Sequence, residues 1–422
     1  MNAFREMRHN QFLRHNAVFF AGSAAVGALN YLYYPILGRM LAPNVFGEVQ
    51  TLISLFLQAT IFLSVLGLVA INIVTNYRDP MHRNAVVLEF EKVALLVSAA
   101  LLVGVIIFHG VLQRFLQFDS AMPIVLLAVA LVATVPLTFR SAMLRGLQRF
   151  GSVSAANLLG AAGKLIFAVF LVGVGWGAAG AIGGLVAAQV AAGVVAGWWA
   201  HGAGLRRPAD SPLLRLPNRR LLAPELRYGL FVLVGSLIVT LQYSLDVIVV
   251  KHYFDPTTAG LYAGLATVAR ITFFLTASIS LVLMPMVRLG EAPNANRRLL
   301  VKSLLLVAAV GLPVTVLLVA APDAVVGALM GSAYKQFGDV LPRLAIAVFV
   351  ISVLNVVVAY CLALRRYSAL PALIFGAGAT YLLLLANHAT IDAVVNDVLI
   401  GSLAMLGALG AWAVLAKTKE GV

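Results

Sequence analysis

Three charged side chains stand inside apolar sequence. Lys164 lies 13 residues into one apolar run, Arg270 lies 13 residues into another, and Asp246 lies four residues from the end of a third. Within a bilayer such a charge costs about 3 kcal/mol or more unless it faces protein, water or a partner, so each is a functional candidate. Two cations would hold an anion, and a carboxylate would serve as a gate or couple movement to an ion. The alternative is architectural: Arg270 pairs with backbone carbonyls or a neighbouring helix, Lys164 snorkels, and Asp246 caps an outer loop. At a helical rise of about 1.5 Å per residue, Lys164 sits roughly 20 Å from its inner end and Arg270 roughly 15 to 20 Å from its outer end. Asp246 is then about 6 Å deep and separated from Arg270 by roughly 9 to 14 Å of depth, so no direct salt bridge between them is expected.

Helical spacing adds weaker candidates. Gly235, Gln242 and Asp246 share one helix face, and Ser23, Asn30 and Tyr34 share another, because separations of 7 and 11 residues return to the same side. These faces would line a cavity. Hydrogen bonding between helices is the competing role for Asn30, Gln58, Asn72, Asn157, Gln189 and Asn355. Gly180 and Gly184 have the small-xxx-small spacing that lets helices approach closely.

Catalytic chemistry has little to work with. The segment Gly160-Ala161-Ala162-Gly163-Lys164 echoes a phosphate-binding loop, but the motif's first glycine would fall on Leu158 and the lysine is followed by Leu165. No helical His-Glu-x-x-His, no paired cysteines and no metal-ligand cluster occur, so no catalytic residue, metal or other cofactor is expected. The single cysteine, Cys361, permits no internal disulfide.

The elements that must position these residues are twelve apolar runs of roughly 20 to 30 residues, each long enough to cross a hydrocarbon core of about 30 Å. The first covers residues 17–38, the fifth 151–174, the seventh 228–250, the eighth 257–287 and the last 393–416. Lys and Arg fall into alternate gaps between the runs, 23 of 30 on the side of the amino terminus. The positive-inside rule then places both termini in the cytosol and requires an even number of spans. An apolar content of 62 % with 11 % charged residues argues against a soluble protein. The net charge of +14 is spread over inner gaps rather than gathered on one surface, so topology explains it and no nucleic-acid partner is expected. A 22-residue first run that leads into further spans reads as a helix and not as a cleaved signal peptide.

Residues 201–227 form the longest inner gap, hold Pro208, Pro212, Pro217 and Pro224 among arginines, and lie at the midpoint of the chain. They read as a basic cytosolic linker between two lobes of six helices, residues 1–200 and 228–422. A shift of 213 residues superposes Gly22-Ser23 on Gly235-Ser236, Pro43 on Pro256 and Gly47 on Gly260, which supports a duplication. Six spans per half would relate the halves by a pseudo-two-fold axis along the membrane normal, with substrate between them. The fold class is therefore an all-α polytopic membrane protein of about twelve transmembrane helices.

Four stretches carry a family resemblance. They are Gly38-Arg39-Met40-Leu41-Ala42-Pro43-Asn44-Val45-Phe46-Gly47, Leu144-Arg145-Gly146-Leu147-Gln148-Arg149-Phe150, Asp246 followed by Ala259-Gly260-Leu261-Tyr262, and Gly331-Ser332-Ala333-Tyr334. Their order along the spans resembles the polysaccharide transporter family, which includes the lipid-linked oligosaccharide and O-antigen flippases of the multidrug, oligosaccharidyl-lipid and polysaccharide exporter superfamily. The resemblance implies alternating access around a central cavity. It also implies movement of a polyprenyl-diphosphate-linked glycan from the inner to the outer leaflet of a bacterial inner membrane, for lipopolysaccharide assembly. Partners would be the lipid-linked glycan, membrane lipids, and a glycan polymerase and glycosyltransferases. On that reading Arg270 and Lys164 attract the diphosphate or acidic sugars, Asp246 gates or couples, and Asn30, Tyr34 and Gln242 line the cavity. A cation-coupled multidrug antiporter of the same superfamily stays open, as does a membrane enzyme or accessory subunit. No acidic residue occurs between Arg14 and Glu48, where multidrug members often place one for ion coupling, and two cations suit an anionic cargo.

Overall fold

A computed structural model of the protein describes residues 22–76, 79–205, 219–287 and 293–420, and all of its regular elements are helical. The helices are α1 (residues 22–40), α2 (Pro43–Asn76), α3 (Pro80–Phe115), α4 (Met122–Gly146), α5 (Phe150–Gly173), α6 (Gly177–Gly202), α7 (Arg219–Tyr253), α8 (Pro256–Ala269), α9 (Ile271–Met286), α10 (Pro293–Ala320), α11 (Pro322–Leu329), α12 (Leu341–Ala363), α13 (Leu370–Ala386) and α14 (Ile391–Glu420). A 3-10 segment, Ser332–Val340, joins α11 to α12. Five helices begin on proline, at Pro43, Pro80, Pro256, Pro293 and Pro322. The first helical position needs no N–H and suits the fixed φ of proline, so these residues start helices cleanly.

Ten helices are long and apolar enough to cross a membrane, and α8 with α9 make an eleventh as one span bent by 45°. Residues 22–38 of the first run lie in helix α1, so each of the twelve apolar runs is largely helical in its described part in this multi-pass membrane protein. Residues 17–21 of the first run, and 206–218 of the basic linker, lie outside the described residues. The eighth run departs from expectation, because it breaks at Arg270 into two helices instead of continuing as one. Large apolar side chains such as Leu101, Ile107, Phe108, Trp198, Leu305 and Phe375 point outward, as a surface solvated by lipid requires.

The chain divides into two compact units that interleave in sequence. The first contains the described residues up to Tyr33, with Phe62–Arg114 and Asp119–Gly229; the second contains Tyr34–Ile61, Phe115–Phe118 and Leu230 onward. The core of the first is built on Val74, Val87, Val135, Phe139, Met143 and Val153. Here α5 and α6 nearly touch: a Cβ on Gly180 would stand 2.9 Å from the Leu171 carbonyl carbon, and one on Gly184 would overlap the backbone of Ala168. The small-xxx-small spacing thus does the packing it suggested.

In the second unit Gly47 and Gly260, which the 213-residue shift matches, meet one another. A Cβ on Gly47 of α2 would lie 2.8 Å from the Cα of Gly260 of α8, and one on Gly260 would overlap the carbonyl of Pro43. Nearby, the Tyr334 hydroxyl donates to the Gly38 carbonyl at 3.3 Å, its ring stands edge-on to Phe46, and Arg39 donates to the carbonyls of Ala328 and Leu329 at the end of α11. Gly331 has φ of 103°, a value that favours glycine. Three of the four stretches that carry the family resemblance therefore build one packed corner.

Candidate functional site

Arg270 and Asp246 form a direct ion pair, which corrects the expectation from helix depth. Arg270 Nη2 lies 2.7 Å from Asp246 Oδ1, with the two side chains 2 % and 4 % exposed. Three physical facts close the gap. Helix α7 runs on to Tyr253, beyond the run's end at Val250, which sets Asp246 about 10 Å deep. Side chains lean toward the amino end of their own helix, so on the antiparallel α7 and α8 the aspartate and arginine lean toward each other. The long guanidinium arm covers the remainder.

The pair is embedded in aromatic hydroxyls. The Tyr262 hydroxyl donates to Asp246 Oδ2 at 2.7 Å, and the guanidinium lies over the Tyr243 ring, 4.7 Å from its centroid. Tyr34 is within electrostatic reach of Arg270 and packs against Phe274, ring centroids 6.0 Å apart. Arg270 Nη1 has no hydrogen-bond partner among the described residues. The cluster is thus near neutral, with one arginine donor to spare.

Lys164 is anchored in the first unit. Its ammonium donates to Asn30 Oδ1 at 2.6 Å and lies 4.4 Å from the centroid of the Tyr33 ring, while the Tyr33 hydroxyl donates to the Ala181 carbonyl at 3.2 Å. Lys164 is buried and does not snorkel. The structure therefore brings together Lys164 with Asn30, and Asp246 with Arg270 and Tyr34. Gln242 goes elsewhere: it donates to Thr380 Oγ1 of α13 at 2.8 Å and reaches Met405 of α14. Gln58 donates to Ser244 at 3.2 Å and Asn355 to Ser280 at 3.0 Å, joining helices as membrane amides commonly do.

Sequence reasoning missed a further cation. A cavity of about 260 Å³ in the first unit is lined by Arg145 with Ser64, Thr138, Ser141 and Asn157, and no carboxylate among the residues that line it. The Arg145 Nε and the Ser141 hydroxyl are buried without hydrogen-bond partners among the described residues. The fourth apolar run, residues 120–139, ends at Phe139 and leaves Arg145 in an inner gap, whereas α4 continues to Gly146. The available signal was Ser141 and Arg145, four residues apart and so on one face of a helix extended by one more turn.

With this geometry in hand, comparison with known proteins identifies the class. The fold matches a multidrug resistance MATE family transporter of the MOP superfamily in an inward-facing conformation, with a TM-score of 0.72, 15 % identity, 93 % of this chain and 96 % of that chain. It matches the lipid II flippase MurJ in an inward closed conformation, with a TM-score of 0.73, 10 % identity, 95 % of this chain and 87 % of that one. A MATE transporter of Vibrio cholerae matches with a TM-score of 0.67, 13 % identity and 97 % of both chains. The chain shares the fold of these membrane transporters. The chain itself belongs to the polysaccharide biosynthesis protein family, whose sequence profile matches residues 13–288. No curated protein matches it by sequence.

Proposed function

We propose that the chain is a flippase that carries a polyprenyl-diphosphate-linked oligosaccharide from the cytosolic to the outer leaflet by alternating access. The setting is a bacterial inner membrane with both termini cytosolic, and the product feeds cell-surface polysaccharide of the lipopolysaccharide O-antigen type. The observation that carries this reading is the Arg145 cavity, where a guanidinium, three hydroxyls and an amide face one space without a carboxylate. Such a surface suits an anionic, polyhydroxylated ligand, since planar guanidinium donors match diphosphate oxygens and hydroxyls match sugars. A cationic drug would meet only repulsion there. Family membership in polysaccharide biosynthesis and the fold shared with a lipid flippase support the same choice.

In this scheme Arg145 receives the diphosphate and Lys164 exchanges Asn30 for a ligand anion. Arg270 is neutralised by Asp246 until the carboxylate takes up a proton or cation, which frees the guanidinium for the ligand. Asp246 is then the coupling group and Tyr34 lines the path. Gln242 acts through its hold on α13 and α14. A glycan polymerase and glycosyltransferases are the proposed partners. The second reading, a cation-coupled multidrug antiporter, is favoured by the likeness to multidrug transporters and opposed by the absence of an acidic residue between Arg14 and Glu48.

Deletion of the gene decides between them. The flippase reading expects lipid-linked oligosaccharide to accumulate on the cytosolic leaflet while its synthesis continues and drug tolerance is unchanged. Normal surface glycan with heightened sensitivity to cationic dyes would overturn it in favour of the antiporter.

A further inference from the structure

A second polar cavity, of about 460 Å³, lies in the first unit between α3, α4 and α6. It is lined by Glu89, Glu91, Lys92, Arg140 and His201 with apolar walls that include Leu95 and Val194. All five polar residues fall at the ends of apolar runs: Glu89, Glu91 and Lys92 just precede the third (residues 93–113), Arg140 follows the fourth (120–139) and His201 follows the sixth (177–200). The cavity therefore sits at the level where hydrocarbon gives way to headgroups, at the membrane end we place in the cytosol. Beside it the protein presents lipid-facing apolar side chains, with Leu96 63 %, Val194 62 % and Trp198 73 % exposed.

Its charges are paired and sum to zero. Lys92 Nζ stands 3.3 Å from Glu89 Oε2, and Arg140 Nη2 stands 3.5 Å from Glu91 Oε1. Arg140 also donates to the Gly193 carbonyl at 3.1 Å, and Gly197 leaves the guanidinium room that a Cβ would take. Yet each carboxylate keeps one oxygen unsatisfied. Glu89 Oε1 and Glu91 Oε2 are buried without a hydrogen-bond partner among the described residues, in side chains of residues only 6 % exposed. Buried carboxylate oxygens left open are costly, so their presence in a cavity points to a missing donor.

We infer that this cavity holds the headgroup of a glycerophospholipid bearing a primary amine. The ammonium would donate to Glu89 Oε1 and Glu91 Oε2, and the phosphate would lie against Lys92 and Arg140, with the acyl chains over Leu96, Val194 and Trp198. A net-neutral lining selects a zwitterionic headgroup over an anionic one. Orphaned acceptors select an ammonium with N–H donors over a trimethylammonium, which has none. The volume falls within the range of roughly 300 to 1,000 Å³ usual for small-molecule sites. The inference is independent of which cargo the transporter carries.

The test is native mass spectrometry of the purified full chain given equimolar phosphatidylethanolamine, phosphatidylcholine and phosphatidylglycerol with identical acyl chains. Retention of phosphatidylethanolamine should exceed that of phosphatidylcholine by about tenfold, the worth of one charge-assisted hydrogen bond. In the Glu89→Gln/Glu91→Gln variant that preference should vanish and phosphatidylglycerol should rise, because Lys92 and Arg140 are left as a net positive lining. Equal retention of the three lipids, retention of none, or an unchanged preference in the variant overturns the proposal. Should the variant not reach the membrane, a phosphatidylethanolamine with a photoactivatable group near the glycerol decides the matter on the wild-type chain. Labelling within residues 93–101 and 190–198 that excess phosphatidylcholine does not displace supports the site, and labelling elsewhere overturns it.

Discussion

Asp246→Asn should destabilise the protein far more than the loss of one hydrogen bond, because it leaves a guanidinium only 2 % exposed without its counter-ion. Two unit charges about 4 Å apart attract by ~4 kcal/mol at an effective dielectric of about 20, and removing one member of a buried pair costs roughly 3 to 5 kcal/mol. For a unit of this size each kcal/mol moves the melting temperature by about 2 to 4 °C, so a drop of roughly 6 to 20 °C is expected. Arg270→Gln should behave similarly, since among the described residues Asp246 then keeps only the Tyr262 hydroxyl. The double variant Asp246→Asn/Arg270→Gln removes both charges and should recover about 2 kcal/mol or more relative to the sum of the single losses. Melting of all four proteins in one detergent and lipid mixture measures this. If the single effects add to within about 0.5 kcal/mol in the double variant, or if Asp246→Asn melts with the wild type, the ion pair contributes nothing and the reasoning from burial fails.

Arg145→Ala should abolish surface glycan export at wild-type abundance and Arg145→Lys should keep part of it; normal export by Arg145→Ala in a deletion strain would remove the cavity from the transport path. Asp255 caps α8 by accepting from the amides of Thr257 and Thr258 at 3.1 and 3.0 Å, and the hydrogen bond from the Thr258 side chain, followed by its backbone, holds the carboxyl below its ordinary range. This contribution is complete above the unfolded carboxylate pKa of about 3.9 and lost as pH falls through the lower folded value, so Asp255→Asn should flatten that acid limb of a melting profile while Asp255→Ala costs about 1 kcal/mol at neutral pH. Gly260→Ala should lower stability or yield, because its methyl group would overlap the Pro43 carbonyl, whereas Gly410→Ala, with open space around it, should be silent in the same expression and melting assay. A reporter active only outside should report from fusions at Gln336 or Asn387 and stay silent at Pro208 or Asn294; reversal at any two of these sites would overturn the twelve-span topology.

The helices were legible because each must be about 20 apolar residues long to satisfy its own backbone in lipid, and no competing structure offers that. Packing glycines were legible for the same reason, since the close approach at Gly184 follows from side-chain size alone. What the sequence hid were matters of a turn or less. Helix α4 outlasts its apolar run and carries Arg145 into the protein, and the bend at Arg270 has no proline or glycine to announce it. Depth counted along ideal helices therefore kept Asp246 and Arg270 apart, although side-chain lean and length were enough to join them. Whether an intramembrane amide lines a path or joins two helices depends on a neighbour's rotation, which one sequence does not state; Gln242 turned to α13 and α14, and Asn30 to Lys164.

Gly47 and Gly260, whose backbones meet where α2 crosses α8, are the residues that the 213-residue shift matches to each other. Equivalent residues touch across an interface when two identical chains associate about a two-fold axis, since such a surface must complement itself. The crossing of α2 and α8 has the form of such a self-complementary contact inside one polypeptide. In a dimer of half-length chains a side chain added at that glycine would enter twice and clash with its own copy. Within one chain each glycine can change alone, but Gly47 faces the backbone of Gly260 and Gly260 faces that of Pro43, so room for a side chain at either requires the other helix to move. Glycine at these two positions is thus set by the backbone that each meets across the crossing, and the side chain that either could carry is limited by the opposite helix rather than by its own.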